Sequence, residues 1–170
     1  EGSARLGWSD ADRTAARRLL RAGLYEEDGL AWRLVLGDIA STLPALDRRA
    51  HVVFWDPFSP KTNPGLWSAA VFAALRERGA TDATLYTYSN ATSTRGALLL
   101  AGFFVGHGAP SGAKEETTAA AMRLTDLVRP LEQAWLGRLE RSTVPFPADA
   151  PEGALELVRR HPQFGPERER

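Results

Sequence analysis

The sequence predicts an α/β fold: a mostly parallel, doubly wound sheet with an antiparallel pair of strands at one edge. Three observations lead there. Short apolar runs alternate with stretches of helical periodicity from residue 9 to residue 101. Two further strand-like runs, 103–106 and 117–123, follow with only a Gly/Pro/Ser loop between them, as in a hairpin. The chain has 170 residues, 44% of them apolar, which is enough for one core and too little for two ordinary domains.

Each element follows from local pattern. Residues 9–24 carry Ala11, Ala15, Leu19 and Leu20 at helical spacing, with Ser9 as N-cap, Asp12 three residues on, and Gly23 at the end. Residues 31–36 are short, apolar and bounded by turn formers, so they are expected as a strand covered on both faces. A short helix over 39–46 contains Pro44. The run His-Val-Val-Phe-Trp at 51–55 is the clearest buried strand, stopped by Asp56-Pro57. A turn-rich loop spans 58–64, and a helix over 67–78 ends at Gly79. Residues 83–88 form the next strand and 89–101 the next helix, with Ser89 or Asn90 as its cap and Gly102 at its C-terminus. After the edge pair, Leu131, Trp135, Leu136 and Leu139 mark an amphipathic helix, and the Pro- and charge-rich tail from Ser142 lies on the surface or is partly mobile. The organisation expected is a partial domain over 1–130, with the C-terminal helix and tail, 131–170, packed on it or partly mobile.

Composition excludes several classes. There is no cysteine, hence no disulfide, thiolate metal site or cysteine nucleophile. The three histidines, His51, His107 and His161, have no metal-ligand spacing, so no metal is expected. No apolar run approaches the roughly 20 residues that cross a bilayer, and the start lacks a signal-peptide core; a cytoplasmic protein with no membrane partner is expected. Twenty-one basic residues balance twenty-one acidic ones, so any nucleic-acid contact must come from a local patch, such as Arg13, Arg17, Arg18 and Arg21 or Arg138, Arg141, Arg159 and Arg160. The oligomeric state is not specified.

In open α/β sheets ligands bind beyond the carboxyl ends of the strands. Three such ends carry polar groups: Gly37-Asp38, Asp56-Pro57-Phe58-Ser59-Pro60, and Thr87-Tyr88-Ser89-Asn90. Asp38 can bind an adenine amino group or a ribose hydroxyl, or cap the next helix. Asp56 can face a cation or hold an amine, or close an Asp-Pro turn. Aspartates ending two neighbouring strands would share one crevice. Phe58, Trp67, Tyr86 and Tyr88 can stack on a base, although Trp67 and Tyr86 are expected in the core. The glycine-rich 106–112 lacks a Walker ending and is expected as a hairpin loop.

The run from Leu36-Gly37-Asp38 to Asp56-Pro57-Phe58-Ser59-Pro60-Lys61-Thr62-Asn63-Pro64-Gly65-Leu66-Trp67 resembles the MnmC-like S-adenosylmethionine-dependent methyltransferases. Thr87-Tyr88-Ser89, Arg95, Ala101-Gly102-Phe103 and Gly112-Ala113-Lys114-Glu115-Glu116 follow in the family's order, so the resemblance covers roughly residues 31–123. It implies part of a class I, Rossmann-like methyltransferase domain acting on the aminomethyl group of the tRNA wobble uridine. By position it implies Asp56 as the catalytic residue, and Asp38, Gly37, Pro57 and Phe58 on the cofactor. Ser59, Pro60, Lys61, Asn63, Trp67, Tyr88, Lys114 and Glu116 would then face the acceptor. The family's Lys-Arg-Glu is Lys114-Glu115-Glu116 here, a charge reversal at the middle position.

With 31–36 matched to the family's third strand, the glycine-rich cofactor loop and the first strands are expected to lie outside this chain, whose first residue is Glu1. The isolated chain is then expected to be inactive, with its S-adenosylmethionine site incomplete and no FAD domain. Two other readings stand beside this one: a non-catalytic remnant serving as a binding module, and a methyltransferase for a small-molecule amine.

Overall fold

Ser9 starts the first helix, α1 (Asp10–Ala22), through a capping box: its hydroxyl accepts from the Asp12 amide at 3.2 Å, and its own amide donates to the Asp12 carboxylate at 2.8 Å. Gly23 ends the helix at φ 72°, donating to Leu19 O at 2.8 Å. In this computed structural model, which describes residues 7–110 and 116–165, the chain falls into two units, 1–42 and 43–170.

The rest of the first unit departs from the expected pattern. Strands β1 (Leu24–Glu27) and β2 (Leu30–Arg33) form an antiparallel hairpin, and all four residues of β2 are exposed. The run 31–36 is therefore not a covered strand of the main sheet. The reason was in the sequence: Asp28-Gly29 is a two-residue turn with both φ angles positive, 46° and 82°, and that geometry matches the twist of a hairpin. Asp38 accordingly does not end a strand neighbouring that of Asp56, and the pair of aspartates on adjacent parallel strands is corrected. Helix α2 (Ile39–Thr42) closes the unit.

The second unit holds a four-stranded sheet in the order β3-β4-β6-β5, from β3 (Ala50–Phe54), β4 (Gly79–Thr87), β5 (Phe104–Gly108) and β6 (Thr117–Ala121). β3 and β4 are parallel, and β6 runs antiparallel to both β4 and β5, giving the expected antiparallel edge pair. β3, β4 and β5 therefore all point the same way, and their carboxyl ends share one edge with the start of β6. Gly79 begins β4 rather than only ending a helix.

Helices α3 (Ala69–Glu77) and α4 (Thr92–Leu100) pack together and supply Phe72, Leu75, Leu98 and Leu99 to a core that takes Leu85, Val105 and Ala120 from the sheet. Ser68 separates α3 from the preceding 3-10 turn, Pro64–Trp67, by accepting from the Val71 amide. Ala91, not Ser89 or Asn90, occupies the cap position of α4.

The C-terminal residues belong to the same unit. Helix α5 (Ala134–Glu140) and helix α6 (Ala154–Arg159) both pack against α4. The Gln163 side chain accepts from Val105 N at 2.7 Å and donates to Val105 O at 2.6 Å and Leu131 O at 2.8 Å, closing the open edge of β5 much as a strand residue would. Asp149 accepts from the amides of Ala69 and Ala70 at the start of α3, at 3.1 and 3.0 Å. Residues 142–153 run along the surface, and Ala154, Val158, His161 and Phe164 are buried beyond them.

Candidate active site

The shared carboxyl edge carries a crevice of about 340 Å³ lined by Phe54, Asp56, Tyr86, Thr87, Tyr88, Ala109, Pro110 and Thr117. β3 and the residues just after it bring Phe54 and Asp56, β4 and its next residue bring Tyr86 to Tyr88, Ala109 and Pro110 follow β5, and Thr117 begins β6. This is the position at which open α/β sheets take ligands. Trp55 N donates to Tyr86 O at 2.8 Å, extending the β3–β4 ladder to the residue before Asp56. The Asp56 carboxylate beyond it is exposed and has no hydrogen-bond partner among the described residues.

The loop after Asp56 is held from behind by aromatic donors. Trp67 Nε1 donates to Phe58 O at 2.8 Å, Trp55 Nε1 to Leu66 O at 3.2 Å, and Tyr88 Oη to Pro57 O at 3.0 Å. Each ring buries its body and spends its one polar group on a loop carbonyl. Trp67 meets Tyr88 edge-on at 6.0 Å and Phe72 at 6.4 Å, and it is 3% exposed. Its placement is that of an anchor for the loop. Ser59 closes a turn with the amides of Thr62 and Asn63 at 2.9 and 3.0 Å, leaving Lys61 and Asn63 exposed on the outer face. Phe58 is 77% exposed. Pro60 and Trp67 line a separate cleft with Phe146 and Pro147.

Of the residues singled out in the sequence, Asp56 and Tyr88 meet in the crevice, with Pro57 tied to it through Tyr88. Gly37 and Asp38 belong to the other unit. There Asp38 Oδ1 accepts from the Ala40 amide at 2.7 Å and its carbonyl accepts from Thr42 N at 2.9 Å, so it caps α2. Gly37 is required by its φ of 147°, and a Cβ there would lie 2.8 Å from the Thr42 methyl. Lys114 lies outside the described residues.

Glu116 is engaged on all sides: Arg95 Nη1 at 3.1 Å, His107 Nδ1 at 2.5 Å, Arg138 Nη1 at 3.7 Å. Burial opposes its ionisation, but Arg95 and His107 outweigh that and hold its carboxyl below the usual range. Arg95 is wholly buried; desolvation pulls its guanidinium down, and the Glu116 charge resists.

Sequence reasoning missed Phe54 and assigned Tyr86 to the core. Tyr86 is 41% exposed and its ring lies 6.0 Å from that of Phe54, which is 79% exposed. The signal was period-2 alternation: Val52 and Phe54 face outward together, as do Thr84 and Tyr86, which pair with them. Two aromatic faces and an exposed carboxylate form a donor set suited to a cation, such as an ammonium or a sulfonium. Among the described residues no group of side chains could hold a metal ion, and no helix is long and apolar enough to cross a membrane.

Known proteins resemble this chain in sequence and in fold. Residues 14–123 match the S-adenosyl-L-methionine-dependent methyltransferase family. The bifunctional protein MnmC of tRNA 5-methylaminomethyl-2-thiouridine biosynthesis from Azoarcus sp. BH72 is 38% identical over 124 residues, 73% of this chain and 17% of that protein. Its counterpart in Pseudomonas aeruginosa UCBPP-PA14 is 46% identical over 70 residues, 41% of this chain and 11% of that protein. The crystal structure of MNMC2 from Aquifex aeolicus superposes with a TM-score of 0.69 at 29% identity, covering 89% of this chain and 50% of that one. The chain thus spans half of that structure and a smaller share of the curated relatives.

Proposed function

The chain belongs to the S-adenosyl-L-methionine-dependent methyltransferase family, and from that premise we propose that it forms the acceptor side of an N-methyltransferase that modifies tRNA, with the aminomethyl group of the wobble uridine as the amine. A cytoplasmic location goes with that substrate. The observation that carries the reading is the exposed Asp56 carboxylate at the carboxyl end of β3, facing a crevice walled by Phe54, Tyr86 and Tyr88.

S-adenosylmethionine supplies an electrophilic methyl group on a sulfonium. The chain's residues have to present a neutral amine in line with that group and take its proton. Asp56 accepts an N–H of the amine, orienting the nitrogen lone pair away from the carboxylate, and receives the proton as the nitrogen becomes cationic. Phe54 and Tyr86 favour positive charge over their faces. Phe58, Ser59, Pro60, Lys61 and Asn63 form the outer lip, where Lys61 meets a phosphate. Trp67 and Tyr88 keep that lip in place. Pro57, whose carbonyl accepts from Tyr88 Oη, borders the cofactor side.

The neutral net charge favours a second reading, transfer to a small-molecule amine, because phosphate contacts usually come with a basic excess. Methyl incorporation into bulk tRNA, compared with incorporation into simple primary amines, separates the two: label in tRNA is expected, and label in the amines alone ends the tRNA reading. Asp56→Ala should lower turnover about a hundredfold or more with the thermal midpoint within a degree or two; unchanged turnover would make Asp56 a turn residue. A calorimetric titration of this chain with S-adenosylmethionine tests how much of the cofactor site it holds. Micromolar affinity is expected of a working transferase, and it would overturn the incomplete-site reading. Failure to bind at all would instead support a non-catalytic binding module.

A further inference from the structure

Arg95 sits on α4 with no exposed surface, yet none of its hydrogen bonds serves the core it is buried in. Nε donates to Thr118 Oγ1 at 3.0 Å, Nη1 to Glu116 Oε1 at 3.1 Å, and Nη2 to Thr117 O at 2.9 Å. All three acceptors lie at the start of β6, on the edge of the sheet that bears the crevice. The β4–β6 pairing ends at Thr87 and Thr118, and the β5–β6 pairing at Gly108 and Thr117. Beyond those rungs the backbone has no ladder to fix it, and side chains must do so.

The guanidinium reaches both crevice walls through its acceptors. Thr118 Oγ1, which accepts from Arg95, donates to Ser89 O at 2.6 Å, and the Ser89 hydroxyl meets Thr94 Oγ1 at 3.0 Å. That chain fixes the turn carrying Thr87 and Tyr88. Thr117, whose carbonyl accepts from Arg95, donates through Oγ1 to Ala109 O at 2.7 Å, fixing the opposite wall. α4 is already held to the sheet by Leu98 and Leu99, so an apolar side chain at position 95 would serve packing equally well. The fork geometry, with three donors in one plane, is what connects two walls at once.

We infer that Arg95 is a positioning residue for the Asp56 crevice, setting the distance between its β4 wall and its β5–β6 wall, with Glu116 as the counter-ion that keeps the buried guanidinium in register. The inference rests on the reading of that crevice as the transfer site. Arg95 touches neither substrate nor cofactor; it acts through Thr117 and Thr118.

The test compares the wild-type protein with Arg95→Lys, which keeps the charge and loses the fork, and Glu116→Gln, which keeps the shape and loses the counter-charge. Amide exchange followed by NMR should rise about tenfold or more at Ser89, Ala91, Ala109 and Thr118 in Arg95→Lys, and by less in Glu116→Gln. Exchange at Leu85 and Ala120 should stay within about twofold in both. In the methyl-transfer assay kcat should fall about tenfold in Arg95→Lys with KM for the amine little changed, because a loosened wall costs alignment more than affinity. Uniformly faster exchange across the sheet, with kcat falling only as the folded fraction falls, would make Arg95 a stability residue and overturn the inference. So would faster exchange at the rim with kcat unchanged. If the wild-type protein transfers no methyl group, the functional reading fails by itself, and the exchange measurements still decide whether Arg95 ties the two walls.

Discussion

At the scale of single residues, the site is a contrast between two carboxylates. Asp56 is exposed and lacks a partner among the described residues, so its charge is available to a ligand. Glu116, just before β6, spends its charge on Arg95 and His107. The second arrangement has a pH signature. Because the Glu116 carboxyl is held below its ordinary value in the fold, the unfolded chain takes up its proton first as pH falls. The stability it contributes is therefore complete above the ordinary carboxylate range, roughly pH 4.3, and is lost as pH drops through the lower, folded-state value. Glu116→Gln should be less stable than wild type at pH 7, and the two thermal midpoints should converge between about pH 5 and pH 3. Parallel curves over that range would show that Arg95 gains nothing from the carboxylate's charge.

At the scale of elements, α4 is the piece on which the second unit depends, since six of its nine residues are buried. Gly96 lets the 145–146 segment lie directly on it: a Cβ there would sit 2.7 Å from Pro145 O and 2.9 Å from the Phe146 ring. Gly96→Ala gains helix propensity but overpacks this contact, so a net loss of about 1–3 kcal/mol is expected, read as a lowered denaturant midpoint at constant slope. A neutral or stabilising result would mean that the strap shifts without cost.

The same elements show what was legible in the sequence. α1 followed from its capping box and periodicity, and β3, α4 and the β5–β6 pair from periodicity, because these signals are local. The site's main carboxylate followed from its place after an apolar strand, although that strand is largely exposed and not buried as expected, Phe54 at 79%. The hairpin β1–β2 was missed although Asp28-Gly29 announced it, because an apolar run at 31–36 suits a covered strand and a hairpin equally until its pairing is known. Arg95 was picked out by the family resemblance, but local pattern gave it no role. Its function is set by Thr117 and Thr118, more than twenty residues away, through a sheet pairing that one sequence does not spell out.

At the scale of the whole molecule, the two units differ in how much apolar surface they bury. In the first, Ala15 and Tyr25 are the buried residues among those described, while Leu20, Leu24, Leu30, Trp32 and Leu36 are exposed, Leu36 at 83%. Its ordering rests on the Ser9 capping box, the Asp-Gly turn, a tilted Tyr25–Trp32 contact at 6.2 Å, and Arg18 over the Tyr25 ring at 5.4 Å. Each is worth on the order of 1 kcal/mol, and together they compete against the conformational entropy of roughly thirty ordered residues at 1–2 kcal/mol each. The second unit sets Leu85, Leu98, Val105, Ala120 and Leu139, none with any exposed surface, against the same cost per residue. Local opening of α1 and β1–β2 should therefore need far less free energy than opening of the four-stranded sheet. Native-state amide exchange across a range of low denaturant should show Thr14 to Leu19 and Tyr25 exchanging at least a hundredfold faster than Leu85 and Ala120, with little denaturant dependence. The sheet amides should instead follow global unfolding. Equal protection in the two units, with equal denaturant slopes, would mean that residues 1–42 unfold only with the rest and that their exposed apolar groups do not measure their stability.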